Sequence, residues 1–244
     1  MLKPMSLLIT SVLCAASAAA ASGFETDVIP TSAGDLRITF IGHGSLFLTF
    51  GGCVIHVDPY GKLTDYTGLP KADIVLITHE HSDHLDLQAL AKVRTDRTVV
   101  VLNAAAGAQV PGGRVIKNGE KETIDGILVE AVPAYNIIHK RDSGEPFHPK
   151  GIGNGYILTL GGKRVYIAGD TENTTEMKAL RDIDVAFLPM NLPYTMTPEM
   201  VADAARTFKP RILYPYHFGD TDTTALKGML ANQEGIEVRI RRMP

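Results

Sequence analysis

Directly behind the apolar run Ile74-Val75-Leu76-Ile77 the chain places Thr78-His79-Glu80-His81-Ser82-Asp83-His84. No other stretch limits the fold so tightly. Ile74 to Thr78 reads as a strand covered on both faces. Its end delivers three imidazoles and Asp83 to one sheet edge. Buried groups of this kind need a partner, and divalent cations satisfy all of them together. The first reading is therefore a dinuclear metal site, on a fold that brings other polar strand ends to the same edge.

The spacing supports two ions. His79 and His81 alternate, so an extended segment points both to one side. Asp83 and His84 follow where the chain turns and can aim at a second ion. This is not a His-Glu-x-x-His helix, so a single-zinc peptidase fits poorly. Asp170 follows the run Arg164 to Gly169, and His217 follows Ile212 to Tyr216. Each is a polar residue at a strand end.

The rest of the chain reads as short strands and a few helices. Leu36 to Ile41 and Leu46 to Phe50 flank Gly42-His43-Gly44, and Cys53 to Val57 precedes Asp58-Pro59. Asp125-Gly126 and Gly161-Gly162 are hairpin turns. Thr197 is an N-cap with Pro198 at the first helical position, and that helix stops before Pro210. Leu85 to Lys92, Met177 to Leu180 and Thr224 to Asn232 are further helices. Glu237 to Ile240 is the last strand. From Tyr135 to Gly155 the texture is polar and rich in Gly and Pro, as in a functional loop. No linker divides residues 22–244, which read as one domain. Strands alternating with a few helices predict two sheets inside and helices outside.

Residues 1–21 run from Lys3 through an apolar core to the small-residue tract Ala15 to Ala21, the order of a secretory signal peptide. The expected location is periplasmic or secreted, without stable membrane insertion after cleavage. Cys53 is then the only cysteine left, so no intramolecular disulfide is expected. The net charge of -3 becomes one unit more negative when Lys3 is lost. No basic stripe suits a phosphate backbone, so nucleic acid is not expected as a partner. A small-molecule substrate is expected, and an oligomer is compatible with the sequence.

The His79-x-His81-x-Asp83-His84 motif, the Gly169-Asp170-Thr171 step and Tyr216-His217 together resemble the metallo-β-lactamase superfamily. The likeness is nearest to its metal-dependent hydrolase branch, which includes ascorbate-6-phosphate lactonase and the phospholipase D acting on N-acyl phosphatidylethanolamine. It spans Leu36 to His217. The resemblance implies an α+β fold, a four-layer αββα sandwich, with two divalent metal ions at one edge. His79 and His81 would hold the first ion, Asp83, His84 and His217 the second, and Asp170 would bridge them. The third imidazole of the first site is displaced from its usual place, which here reads Ala134-Tyr135-Asn136. His148 is the preferred substitute, with His139 and Asn136 as alternatives. Asp58 resembles the acidic residue that orients a metal-binding imidazole, and His43 lies at a turn near the same edge.

The resemblance implies hydrolysis of an ester, lactone or phosphodiester by metal-activated water. Asp83 and Asp170 would be catalytic. Tyr216 would be a phenol donor to developing negative charge, with Tyr194 and Tyr135 as further candidates and Lys150 as an anion attractor. Zinc suits a His- and Asp-rich site best, and manganese, iron and nickel are compatible. The competing readings are a non-catalytic periplasmic metal-binding protein and, less favoured, a β-lactamase.

Overall fold

The computed structural model describes residues 23–244, so the expected leader at 1–21 lies outside the described residues. Seven strands build the first sheet in sequence order: β1 (Thr26–Thr31), β2 (Gly34–Gly42), β3 (Ser45–Phe50), β4 (Cys53–Val57), β5 (Ile74–Leu76), β6 (Val99–Leu102) and β7 (Arg114–Val115). Seven more build the second, again in order: β8 (Lys121–Ile124), β9 (Ile127–Ala134), β10 (Gly153–Leu160), β11 (Lys163–Ile167), β12 (Val185–Pro189), β13 (Ile212–Tyr216) and β14 (Glu237–Val238). The two sheets share one plan. Their first four strands form an antiparallel meander, and the last three add in parallel through crossovers.

Helices cover the outer faces. After β5 and β6 come α1 (Leu87–Val93) and α2 (Ala104–Gly107), and the second sheet carries α3 (Thr175–Lys178), α4 (Pro198–Phe208) and α5 (Thr223–Leu230). Three apolar layers hold the stack together. Leu36, Ile38, Phe40 and Ile55 of the first sheet meet Val129, Leu158, Phe187 and Tyr214 of the second in the central layer. Leu90, Val93 and Ala106 pack on Val75 and Val100 outside the first sheet. Val201, Ala205, Phe208 and Leu226 do the same against Tyr166, Ala186 and Leu188. The expected αββα sandwich is what the chain forms.

Local chemistry explains the elements. Thr197 accepts from the Met200 N–H as N-cap of α4, Pro198 opens the helix, and Lys209 closes it at φ 51°. Asp125-Gly126 joins β8 to β9 with both φ positive, as a type I′ hairpin requires. Strand β1 carries no clear signal in the sequence: Pro30 sits in it, and β1 lies at the sheet's edge, where a residue without an N–H is readily accommodated. Among the described residues no helix is long and apolar enough to cross a membrane.

Candidate metal centre

The chain leaves β5 as an extended segment and turns through Ser82, with the His84 and Leu85 N–H groups donating to the His81 carbonyl at 3.0 and 2.8 Å. His79, His81 and His84 thereby reach the edge where the chain leaves β11 toward Asp170 and β13 toward His217. The loop after β9 returns His148 to the same place. His79, His81 and His148 form one cluster, with ring centroids 4.6 to 5.1 Å apart. Asp83, His84 and His217 form a second, joined by His43. Asp170 lies between them: its carboxylate is 3.3 Å from His148 Nε2 and 3.5 Å from both His84 Nε2 and His217 Nε2. All seven expected ligands therefore converge.

The inner atoms of this constellation have no protein partner. His79 Nε2, His84 Nε2, His148 Nε2, His217 Nε2 and Asp170 Oδ1 are buried and make no hydrogen bond. Buried polar atoms are normally satisfied, and inward-facing donors of one chemistry are the set that a divalent cation would satisfy together. The donor set of imidazole nitrogens and carboxylate oxygens fits divalent transition metals.

The outer nitrogens are anchored. His84 Nδ1 is 2.8 Å from Asp58 Oδ2, and His79 Nδ1 is 3.0 Å from the Thr78 hydroxyl, which itself donates to Asp58 at 2.6 Å. His148 Nδ1 is 2.8 Å from Asn136 Oδ1. Each anchor turns Nε2 inward. Burial holds His79 well below the usual imidazole range and brings His217 down to about 4. At His84 burial also opposes charge, yet Asp170 and Asp58 raise the imidazole to about 9. Burial works against the Asp170 carboxylate too, but His217, His84 and His148 hold it well below the usual range.

The backbone is shaped to permit this. His43, Asp58 and His217 all have positive φ, 52°, 42° and 45°, an unusual conformation for side-chain-bearing residues that gathers at functional sites. A Cβ on Gly44 would meet His84 Cε1 at 2.9 Å, so glycine is required in the turn just before β3. Gly169, at φ 65°, turns the chain into Asp170 and would collide with the Asn154 carbonyl at 2.9 Å if it carried a Cβ.

A family model described as the beta-lactamase superfamily domain matches residues 37–217. The chain belongs to the metallo-β-lactamase superfamily. A protein from Parabacteroides distasonis assigned as a metal-dependent hydrolase is 52% identical, with a TM-score of 0.86 over 91% of this chain and 100% of that one. A metallo hydrolase from Ignicoccus hospitalis is 25% identical, with a TM-score of 0.69 over 86% of this chain and 96% of its own. A UPF0173 metal-dependent hydrolase from Thermococcus onnurineus is 34% identical over 203 residues, 75% of this chain and 84% of the relative.

Within this superfamily member, several expected roles are placed differently. Tyr216, expected to face substrate, is fully buried in the central layer. Its hydroxyl accepts from the Gly169 N–H at 2.8 Å, so it braces the turn before Asp170 and does not line the cleft. Side chains of adjacent strand residues point to opposite faces, which is why the neighbour of a ligand looks inward. Lys150 is engaged by Glu176 at 2.9 Å and by the Tyr135 hydroxyl at 3.2 Å, so it fastens the loop to α3. Tyr194 does line the cleft. His139 stands outside both clusters, and Asn136 turns its Oδ1 to His148 Nδ1. His43 Nε2 is 3.0 Å from Asp83 Oδ2, and its ring lies 3.6 Å from that of His217.

Glu172 was not anticipated. It is fully buried and accepts from the N–H groups of Ile137, Ile138 and His139 at 2.7, 2.7 and 2.8 Å. It also holds the Asn136 amide at 3.1 Å and His139 Nδ1 at 2.8 Å. The run Glu172–Asn136–His148 thus ties a metal-facing imidazole to the second sheet.

Proposed function

We propose that the protein is a metal-dependent hydrolase of small-molecule esters, lactones or phosphodiesters, with zinc the metal its donors suit best. The observation carrying this reading is the set of five buried, unpartnered imidazole and carboxylate atoms that face one another. A cleft of about 460 Å³ opens on them, lined by His43, Asp83, His148, Asp170, Tyr194 and His217 among others. That volume suits a small molecule. The order of residues 1–21 supports export to the periplasm or beyond.

Divalent ions held by His79, His81, His148, Asp83, His84, His217 and Asp170 would supply acidified water and polarise the scissile carbonyl or phosphoryl group. The protein groups do the rest. Asp83 is part exposed at the cleft wall, with side-chain exposure of 35%, and is the carboxylate available to receive a proton there. His43 fixes Asp83 from one side. Asp170, almost fully buried, is held in place by the turn that Tyr216 braces. Asp58 and Asn136 keep His84 and His148 turned with Nε2 inward.

The test is metal content followed by turnover. Mature protein purified without chelator is assayed for bound metal per chain, then against lactones, phosphodiesters, aryl esters and a cephalosporin. About two ions per chain, with hydrolysis abolished in Asp170→Ala, supports the hydrolase and identifies the bond cleaved. Bound metal without turnover of any class would favour a metal-binding protein, and no metal after reconstitution would overturn the site itself.

A further inference from the structure

Beyond the metal-facing groups, one cation lines the cleft. Arg141 stands in the loop between β9 and β10, on a small turn closed by its own N–H donating to the Glu145 carbonyl at 2.8 Å and by the Gly144 N–H donating to its carbonyl at 2.8 Å. Lys140 and Pro146 pair across that turn as an isolated β-bridge. The backbone under the guanidinium is therefore fixed.

The guanidinium itself is held but not neutralised. It lies 5.0 Å from the centroid of the Phe147 ring, and among the described residues its only hydrogen bond is a long one, 3.4 Å, to the Phe147 carbonyl. Among the described residues it makes no ion pair. Asp142 and Glu145 share its turn, yet neither lines the cleft. Lys150 and Glu176 show the contrast: on the same loop, that cation has its carboxylate at 2.9 Å. Phe147 packs edge-on against Tyr194 at 5.1 Å, so the arginine rests on an aromatic wall shared with the cleft. Stacking on an aromatic face leaves the planar N–H fork free to grip a carboxylate or phosphate with two parallel bonds.

We infer that Arg141 is a specificity residue, and that the substrate carries an anionic carboxylate or phosphate group separate from the bond that is cleaved. This rests on the hydrolase reading for the cleavage step, but the anion-binding part stands on its own. Arg141 would anchor that group on the wall formed by Phe147 and Tyr194, orienting the scissile bond toward Asp83 and Asp170. Lysine at this position would retain charge but lose the fork and the stacking.

Two arms test it on the zinc-loaded protein, in wild type, Arg141→Ala and Arg141→Lys. Arg141 is exposed, so both variants should fold. In the first arm, calorimetric titrations with glutarate and with inorganic phosphate need no turnover. Arg141→Ala should weaken at least one of them by about 10- to 100-fold, Arg141→Lys by less, and the anion that loses more affinity names the group. The second arm compares p-nitrophenyl esters of butyrate and of hemiglutarate. The kcat/KM ratio of the charged to the uncharged ester should drop by a similar factor in Arg141→Ala, chiefly through KM. Failure of wild type to cleave either ester would count against ester hydrolysis and leave the binding arm to decide. Equal binding of both anions by wild type and Arg141→Ala would overturn the assignment.

Discussion

Asn136 Oδ1 accepts two hydrogen bonds from one residue: the His148 backbone N–H and the His148 Nδ1, both at 2.8 Å. That single oxygen sets the position, tautomer and direction of the imidazole completing the first cluster. Asn136→Ala removes both bonds and leaves His148 free to turn. Loss of such an orienting partner typically weakens metal affinity by about 10- to 100-fold. Competitive zinc titration should show that loss at one of two sites, with hydrolysis falling in parallel. Two unchanged zinc affinities in the variant would mean that His148 needs no anchor.

Glu172 extends the same arrangement one step deeper. As a carboxylate it satisfies three backbone N–H groups and the Asn136 amide at once. Glu172→Gln turns one acceptor into a donor aimed at other donors, leaving buried groups unsatisfied at a cost of roughly 1–3 kcal/mol. We expect a lower urea midpoint in the zinc-free protein and faster amide exchange at 137–139. Exchange unchanged at those three amides would contradict this account of the loop.

Much of this centre is legible because its ligands are local or end strands. His79, His81, Asp83 and His84 announce themselves within one turn, and Asp170 and His217 follow apolar runs. His148 is harder, since His139 shares its loop and only the folded chain shows which imidazole meets Asp170. Glu172 leaves no signal: next to Thr171 and before a short helix it reads as an ordinary surface acid. Its burial depends on a loop more than thirty positions upstream folding over it. The same non-local dependence hides β1, whose pairing with β2 overrides an unpromising composition. Tyr216 is hidden for a different reason: adjacency to His217 along the chain does not carry its side chain into the cleft.

The C-terminal segment is locked to β1 by Asp27. Its carboxylate accepts from Arg241 Nε and Nη2 at 3.0 and 2.8 Å and from the Tyr214 hydroxyl. The group is mostly buried, with a side-chain exposure of 13%, so the bidentate pair is partly shielded from screening. Asp27→Asn should therefore destabilise by about 1–3 kcal/mol, well above the effect of an exposed ion pair. Arg114→Ala, which breaks an exposed pair with Glu122, is the control and should change stability by less than about 1 kcal/mol. Equal urea midpoints for Asp27→Asn and wild type would show that the clamp contributes nothing.

His56 gives the fold a defined acid sensitivity apart from the metal ligands. Its ring stacks on Phe47 at 5.1 Å, and Nε2 donates to the Pro70 carbonyl at 3.0 Å, which fixes the neutral tautomer with Nδ1 unprotonated. Burial brings the imidazole down to about 4, against an ordinary 6.5, with the Pro70 bond only partly opposing. The unfolded chain thus binds this proton at higher pH than the folded one does. The resulting stability is present above about pH 6.5, declines as pH falls toward 4, and is gone below it. A difference of this size corresponds to at most roughly 3 kcal/mol. Glutamine can still donate to Pro70 but cannot ionise, so His56→Gln should flatten the stability–pH curve by nearly one proton between pH 6 and 4. Subtracting the variant's curve from wild type, both zinc-free, cancels the contribution of the metal-facing histidines. Parallel curves across that interval would show that His56 does not carry the effect.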